Sequence, residues 1–246
     1  MKGDADIAKL AAVLADERRN RMLLALGDGR ALPASVLADE AGVAASTASE
    51  HLRRLVDSGL VGVERHGRHR YFRLAGPHVA ELLEALARVA PAAPVRSLRE
   101  GTRAEAIRSA RTCYDHLAGK LGTDLFTALL ERGVLEGGDG VFDPERAHQD
   151  RLSSPGWDVE YRLNDDTILR ELGVDLNRPS RRPLIRYCID WSEQRHHLAG
   201  ALGAGLTQRF FDLKWIKRAR GSRAVHVTAE GVQGFEASLG LQVPSA

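Results

Sequence analysis

The stretch STASEHLRRLVDSGLV, residues 46–61, carries the clearest structural signals in this chain. Ser46 is a good helix N-cap, and the apolar residues that follow it recur at helical spacing. The Ser-Gly pair at 58–59 then ends the helix, and the apolar residues from Leu60 onward are typical of a strand. The stretch therefore predicts a helix over 46–57 that leads directly into a strand.

A shorter helix is predicted just upstream. Pro33 marks its start, because proline is favoured in the first turn of a helix, and Gly42 marks its end. Apolar residues also recur at helical spacing from Ile7 to Leu26, which indicates one or two further helices. Two short helices joined at Gly42 form the pattern of a helix-turn-helix.

The outward face of the 46–57 helix is polar near its start and cationic further along. The first turns of a recognition helix meet base edges in the major groove of DNA, where hydrogen-bonding side chains are required. The candidate DNA-contacting residues on this helix are Ser46, Thr47, Ser49, Glu50, His51, Arg53 and Arg54.

A β-hairpin is predicted behind this helix. Its strands are expected near 60–63 and 70–74, joined by a turn at Gly67. Basic side chains concentrate at its tip and flank, where a wing bound to DNA meets phosphates and the minor groove. These residues are Arg65, His66, Arg68, His69, Arg70 and Arg73. The whole pattern predicts a winged helix-turn-helix that binds double-stranded DNA.

Residues 46–61, the Gly67 turn and the string YFRL at 71–74 together resemble the ArsR/SmtB family of bacterial transcription regulators. The resemblance covers about residues 7–90. It implies a homodimer, in which the first helix and the helix after the wing, Pro77 to Val89, pack against their partners. It also implies that an effector lowers operator affinity and so relieves repression.

The metal sites of this family do not carry over with the resemblance. One of them places cysteines on or near the helix before the recognition helix, but residues 32–42 contain neither Cys nor His. Another uses carboxylates and imidazoles on the helix after the wing, where this chain offers His78, Glu81 and Glu84 without a second histidine.

The sequence bears on other classes of function besides a DNA-binding regulator. Winged helices also serve as protein-interaction modules, and that alternative stays open, although a basic wing directly behind a polar recognition helix favours DNA. The net charge of +2 is too mild to decide the matter. The sequence has no secretory signal and no run of about 20 apolar residues, so we expect a cytoplasmic protein that does not bind membranes. It also lacks a glycine-rich phosphate loop, a nucleophile elbow and a His-Glu-x-x-His string, so we do not expect an enzyme.

The second part of the chain repeats itself. The string RTCYD at 111–115 is echoed by RYCID at 186–190, and HLAGKLG at 116–122 is echoed by HLAGALG at 197–203. Each copy then continues with an amphipathic stretch, a strand candidate and a last helix. The strand candidates lie at 159–163 and 224–227.

The sequence therefore predicts a mostly α chain with small β-hairpins, of the α+β class, in three parts. They are a winged helix-turn-helix domain at 1–90, a linker at 91–100, and a duplicated effector or dimer-extension domain at 101–246, with copies at about 101–180 and 181–246. Each copy is expected to have the order helix, helix, strand, helix.

Cysteine and histidine recur at equivalent places in the two copies. On a helix Cys113 and His116 would lie three residues apart on one face, and Cys188 with His197 or His196 could complete four ligands. Such a set suits a soft metal effector such as zinc or copper, and arsenite could bind the two thiolates. The aspartate that follows each cysteine could orient a histidine.

A purely structural interpretation stays open beside the metal site. Cysteine is often buried as a small hydrophobic residue. The arginine before each cysteine could also pair with the aspartate two residues after it, Arg111 with Asp115 and Arg186 with Asp190. The repeated string would then specify the fold through buried ion pairs.

Overall fold

The computed structural model describes residues 4–67, 69–91, 94, 97–142, 161–176, 180, 182–219 and 222–244. The chain divides into two units, Met1–Leu83 with Arg220–Arg223, and Glu84–Ala219 with Ala224–Ala246. The domain bounds expected from the sequence stay predictions; within the expected linker at 91–100, residues 92, 93, 95 and 96 lie outside the described residues, and residues 98–100 are helical rather than linker.

The first unit has the element order of a winged helix-turn-helix. Its elements are α1 Ile7–Leu14, α2 Glu17–Ala25, β1 Leu32–Pro33, α3 Ala34–Ala41, α4 Ala45–Asp57, β2 Val61–His66, β3 His69–Leu74 and the start of α5 Pro77–Val89. The strands form one antiparallel sheet in the order β1-β3-β2, with Leu32 opposite Phe72 and Val61 opposite Leu74. The winged fold predicted from the sequence is confirmed, whereas the edge strand β1 was not foreseen.

Local signals explain where these helices begin and end. The Asp6 carboxylate caps α1 by accepting a hydrogen bond from the Lys9 amide, and Asp16 caps α2 in the same way. Gly42 ends α3 in the left-handed conformation, with φ of 65°. The helices enclose a small apolar core, in which the fully buried side chains include Met22, Leu23, Leu26, Leu37, Leu52, Leu55 and Leu74.

The second unit combines helices with two-stranded antiparallel ribbons. After the end of α5, its elements are α6 Leu98–Ser109, β4 Arg111–Cys113, β5 His116–Ala118, α7 Gly119–Glu131, β6 Leu135–Glu136, β7 Arg162–Leu163, α8 Thr167–Glu171, β8 Arg186–Ile189, β9 His196–Ala199, α9 Gly200–Asp212, β10 Ile216–Arg218, β11 Val225–Val227 and α10 Ala229–Leu239. The strand candidate at 159–163 is described only from Tyr161 onward, where 162–163 forms β7.

The two repeated strings adopt matching structures. Each forms a β-hairpin, β4-β5 or β8-β9, that runs straight into a helix of 13 residues, α7 or α9. The first residue of each helix is a glycine with positive φ, 74° at Gly119 and 77° at Gly200, a conformation that glycine adopts without steric cost. These matches support the predicted repeat, but its origin by duplication stays a prediction.

The expectation that Cys113 and His116 lie on a helix is wrong, and the predicted order of helix, helix, strand, helix is wrong with it. Both residues lie in a hairpin whose two-residue turn at 114–115 includes Tyr114 with φ of 58°, outside the helical region. A spacing of three places residues on one helix face, but across a two-residue turn it makes them direct cross-strand partners. The sequence pattern alone did not distinguish the two.

The paired hairpins pack closely within the core of the second unit. A Cβ atom on Gly122 would lie 3.6 Å from the Cβ of His197, and one on Gly203 would lie 3.3 Å from the Cβ of His116. The second glycine of each repeat therefore lies against the histidine of the other, although a Cβ atom there would clash first with the carbonyl oxygen of its own hairpin, Leu117 at 2.6 Å or Leu198 at 2.5 Å. Around them lies an apolar core in which Phe126, Phe210 and Phe235 are fully buried.

Candidate functional site

The recognition helix α4 separates an apolar side from a polar one. Ala48, Leu52 and Leu55 are buried in the core of the first unit. On the opposite side the helix exposes six of the predicted DNA-contacting residues, Ser46, Thr47, Ser49, Glu50, Arg53 and Arg54. The exposed side thus offers hydroxyl, carboxylate and guanidinium groups, which can all hydrogen-bond to base edges.

The charged residues of this face are held together by exposed ion pairs. Arg53 Nη2 lies 2.8 Å from Glu50 Oε1, and Arg54 Nε lies 3.0 Å from the same oxygen. Hydrogen bonds from Arg53, and then from Arg54, lower the pKa of the Glu50 carboxyl. Exposed ion pairs of this kind contribute little stability, so a DNA ligand can replace them at low cost.

Two predicted residues of α4 are placed differently from what the sequence suggested. Ser46 is not the N-cap, because α4 begins at Ala45 with Ala44 as its cap. His51 does not face outward, because its side chain is only 12% exposed and its Nδ1 lies 3.9 Å from Asp16, the capping residue of α2. We therefore assign His51 to the contact between α2 and α4.

The wing places two arginines directly opposite one another. Strands β2 and β3 are paired so that Arg65 faces Arg70 and His66 faces His69, and all four residues are exposed. Directly opposed like charges destabilise a hairpin, which favours a role in which a polyanion binds them. Arg68, predicted at the wing tip, lies outside the described residues.

Arg73 lies on the flank of the wing and forms an ion pair with Glu64. A groove of about 610 Å³ runs between α4 and the wing. Ser49 and Arg53 line it from α4, and His69 and Arg70 line it from β3. Groups from both predicted DNA-contacting elements therefore meet along one concave surface of the first unit.

The second unit brings together the four predicted ligand residues. Cys113 and His116 are cross-strand partners in one hairpin, and Cys188 and His197 are partners in the other. One ligand atom from each residue lies within 4.8 Å of the other three. His196, the alternative to His197, instead lies with its Nδ1 2.8 Å from the hydroxyl of Tyr161.

Carboxylates hold the Nδ1 side of both histidines in this Cys-His cluster. His116 Nδ1 lies 3.4 Å from Asp115, and His197 Nδ1 lies 3.3 Å from Asp190. This orientation leaves Nε2 for the cluster, and His116 Nε2 lies 3.7 Å from the sulfur of Cys188. His197 is fully buried, and its Nε2 has no hydrogen-bond partner among the described residues.

The ion pairs around the cluster differ from those predicted. Arg111 does not pair with Asp115 of its own string. Its Nη2 lies 3.0 Å from Asp190 of the other string and 3.3 Å from Glu84 on α5. Asp115 pairs with Arg182 at 2.7 Å. Because the pairing joins residues about 80 positions apart, repetition within one string could not reveal it.

Hydrogen bonds, burial and neighbouring charged groups together set the protonation of the cluster. The hydrogen bond with Cys188, together with burial and the nearby Glu84, raises the pKa of Cys113 to about 12. Burial alone would lower the pKa of His116, but the neighbouring carboxylate of Asp115 favours the protonated imidazole and raises it. With protein groups alone around it, Cys113 is therefore a neutral thiol at pH 7.

Comparisons with known proteins address the first unit and the whole chain. Residues 14–64 match the family model described as a helix-turn-helix domain. The chain is 39% identical over 240 residues to an uncharacterized HTH-type transcriptional regulator, YdfF of Bacillus subtilis, covering 97% of this chain and 99% of the relative. It is also 38% identical over 86 residues to the HTH-type transcriptional regulator CmtR of Mycobacterium bovis, covering 35% of this chain and 72% of the relative.

Among solved structures, the homodimeric winged helix-turn-helix domain of Mb0332 from Mycobacterium bovis, described as a possible ArsR-family regulator, is 33% identical. The match covers 36% of this chain and 88% of that one, with a TM-score of 0.30, which is too low to support an argument about this chain. Separately, no helix in the described parts of the chain combines the length and the hydropathy needed to span a bilayer.

Proposed function

We propose that the chain, which belongs to the HTH-type transcriptional regulators and whose winged helix-turn-helix resembles the ArsR/SmtB family, is a cytoplasmic repressor that binds a pseudo-palindromic operator as a homodimer. One observation carries the proposal: the polar, arginine-bearing face of α4 borders the same groove as the basic wing. YdfF of Bacillus subtilis, which matches nearly the whole chain, is named as a transcriptional regulator, in line with a role in regulation rather than catalysis.

The division of labour between α4 and the wing follows from their chemistry. Ser49, Glu50 and Arg53 present hydrogen-bonding groups on the helix that enters the major groove, so they select the sequence. Arg65 and Arg70 face each other on the wing and both are positively charged, so sugar-phosphate backbones are their nearest partners on DNA. The helix therefore supplies specificity, and the wing supplies affinity that is independent of sequence.

Exposed apolar side chains on α1 and α5, the first helix and the helix after the wing, support the homodimer. In the single chain α1 has no buried side chain, and Ile7 is 74% exposed. On α5, Val89 is 81% exposed and Leu86 is 39% exposed. We expect these exposed apolar side chains to be buried against a second copy of the chain. A dimer with two-fold symmetry would then bind an operator with the matching two-fold symmetry.

The proposal is tested by selecting duplexes from a random-sequence library with the purified full-length protein. We expect the selected sequences to share an inverted repeat with half-site centres about one helical turn apart, and we expect two chains to bind each duplex. Selection of no common sequence, or of an asymmetric site bound by one chain, would overturn it. A winged helix that serves only protein interaction would give the first of these results.

The variant Arg53→Ala sharpens this experiment, with Arg170→Ala as its matched control. Both arginines are exposed and pair with a carboxylate on their own helix, Arg53 with Glu50 and Arg170 with Asp166, but Arg170 lies on α8 of the second unit. Only Arg53→Ala should weaken enrichment of the inverted repeat. Equal effects of the two substitutions would show that Arg53 of α4 does not contact the operator.

A further inference from the structure

We propose that Cys113, His116, Cys188 and His197 form a binding site for one borderline-soft transition-metal ion of the zinc type. Two thiolates and two imidazoles are the donor set of many four-coordinate zinc sites. Each hairpin supplies one cysteine and one histidine as direct cross-strand partners, so the site is built where the repeated strings meet.

The distances fit this assignment. Zinc–sulfur and zinc–nitrogen bonds of about 2.3 Å and 2.0 to 2.1 Å place neighbouring ligand atoms of a tetrahedron about 3.3 to 3.8 Å apart. The contact between Cys188 Sγ and His116 Nε2 is already 3.7 Å, and all four ligand atoms lie within 4.8 Å of one another. Small side-chain rotations therefore suffice to close the four ligands around an ion.

The atoms around the ligands provide a second, independent argument. Asp115 and Asp190 lie 3.4 Å and 3.3 Å from the Nδ1 atoms of the two histidines, an arrangement that directs Nε2 toward a metal. His197 Nε2 is buried and has no hydrogen-bond partner among the described residues, which is costly unless a ligand satisfies it. A metal ion at the centre of the cluster would do so.

The charges also favour a divalent cation. Two thiolates and a divalent ion sum to zero, so the metal-bound cluster adds no net charge to a buried region. The nearby Asp190 is already compensated by Arg111. Cys188 is only partly buried, whereas the other three ligands are buried.

A disulfide between the two cysteines is the main competing use of the cluster. It would need only the two sulfurs, and it would leave unexplained why both histidines are aimed at the same point by their own aspartates. The metal site accounts for all four residues and both carboxylates. It also stands or falls independently of operator binding, because it lies wholly within the second unit.

The test is a titration of the reduced, metal-free full-length chain with cobalt(II), whose absorption reports the ligand set. We expect one cobalt per chain, with thiolate charge-transfer bands and the strong visible bands of tetrahedral cobalt, and we expect zinc to displace it. Failure of the reduced parent protein to bind cobalt or zinc stoichiometrically would overturn the proposal. So would binding without thiolate bands.

Variants assign the site. Cys188→Ser, at the more accessible cysteine, should lose about half of the thiolate charge-transfer intensity, and His197→Gln should lose the tetrahedral spectrum. His196→Gln is the matched control, because His196 is the buried neighbour of His197 on β9 but contacts Tyr161 instead of the cluster. Near-ultraviolet circular dichroism verifies folding before each titration. Spectra of Cys188→Ser and His197→Gln that match the parent would contradict the assignment.

Discussion

The two units of this chain use charged residues in opposite ways. On α4, Arg53 and Arg54 are 62% and 58% exposed, and they share the exposed carboxylate of Glu50. In the second unit, Arg111 and Asp190 pair with both side chains fully buried. Water screens the first kind of pair, whereas the second kind lies where an unpaired charge is costly.

This difference separates exchangeable charges from fixed ones. The exposed ion pairs of α4 can break when a DNA phosphate or base binds, without a large loss of protein stability. This suits a surface that binds and releases a polyanion. The buried pairs of the second unit hold one hairpin against the other. We therefore expect substitutions in the first unit to change binding, and substitutions of the buried network to change folding.

The largest effect is expected when the buried network is broken. Asp190→Ala leaves Arg111 buried without its closest carboxylate and removes the acceptor beside His197, so it should lower the free energy of unfolding by about 3 to 5 kcal/mol. Urea denaturation of the full chain measures this loss. A variant as stable as the parent would show that the network is not what holds the hairpins together.

The next effect concerns communication between the Cys-His cluster and operator binding. His197 contacts Asp190, Asp190 contacts Arg111, and Arg111 contacts Glu84 on α5, the helix that follows the wing in the chain. If the metal acts as the effector, saturating zinc should change operator affinity about 5- to 150-fold. Operator titrations with and without zinc, copper(I) and arsenite measure this response.

Cys113→Ser and Cys188→Ser separate a ligand role from a core role. As ligands, their loss should abolish the ion response and leave operator binding intact. As core residues, Cys113→Ser in particular should lower the melting temperature whether or not an ion is present, because it buries a poorly paired hydroxyl. If both variants melt lower and no ion alters operator binding by the parent, the cluster is not a sensor.

An effect of similar size is expected for base recognition. Arg53→Ala should weaken binding to the selected operator about 5- to 150-fold and change binding to random DNA much less, because base contacts carry the specificity. Substitutions of Ser49 and Glu50 should act in the same direction. Fluorescence anisotropy with the two duplexes measures the ratio, and an equal loss on both would mean that α4 does not read bases.

The smallest effect is expected at the wing. Arg70→Ala should weaken binding to all duplexes alike and make the dependence of log affinity on log salt shallower by about one. Arg68→Ala is expected to behave in the same way. Binding titrations over a series of salt concentrations give the slopes, and a slope identical to that of the parent would place the residue away from phosphates.

The winged helix-turn-helix could be predicted because its signals are local. The Gly42 turn, the alternation of buried and exposed residues on α4 and the Gly67 hairpin each depend on a few neighbouring residues. The burial of His51 against Asp16 could not be predicted, since it joins residues from two different helices. The amphipathic pattern places His51 near the boundary of the apolar face of α4. Only the packing of α2 against α4 determines whether its side chain is buried or exposed.

The second unit was predicted less well for the same physical reason. Repetition correctly drew attention to Cys113, His116, Cys188 and His197, which the structure brings together. The helix predicted for Cys113 and His116 was wrong, because a spacing of three residues fits both a helix and a hairpin with a two-residue turn. The pairing of Arg111 with Asp190 depends on how the two strings pack, which no local pattern encodes.

Parallel binding isotherms test the central claim most directly, one on the selected inverted repeat and one on a duplex of the same composition with scrambled half-sites. The account predicts that the parent protein binds the inverted repeat at least about 1,000-fold more tightly at physiological salt, because α4 reads bases while the wing contacts either duplex equally. Equal affinities for the two duplexes would contradict it.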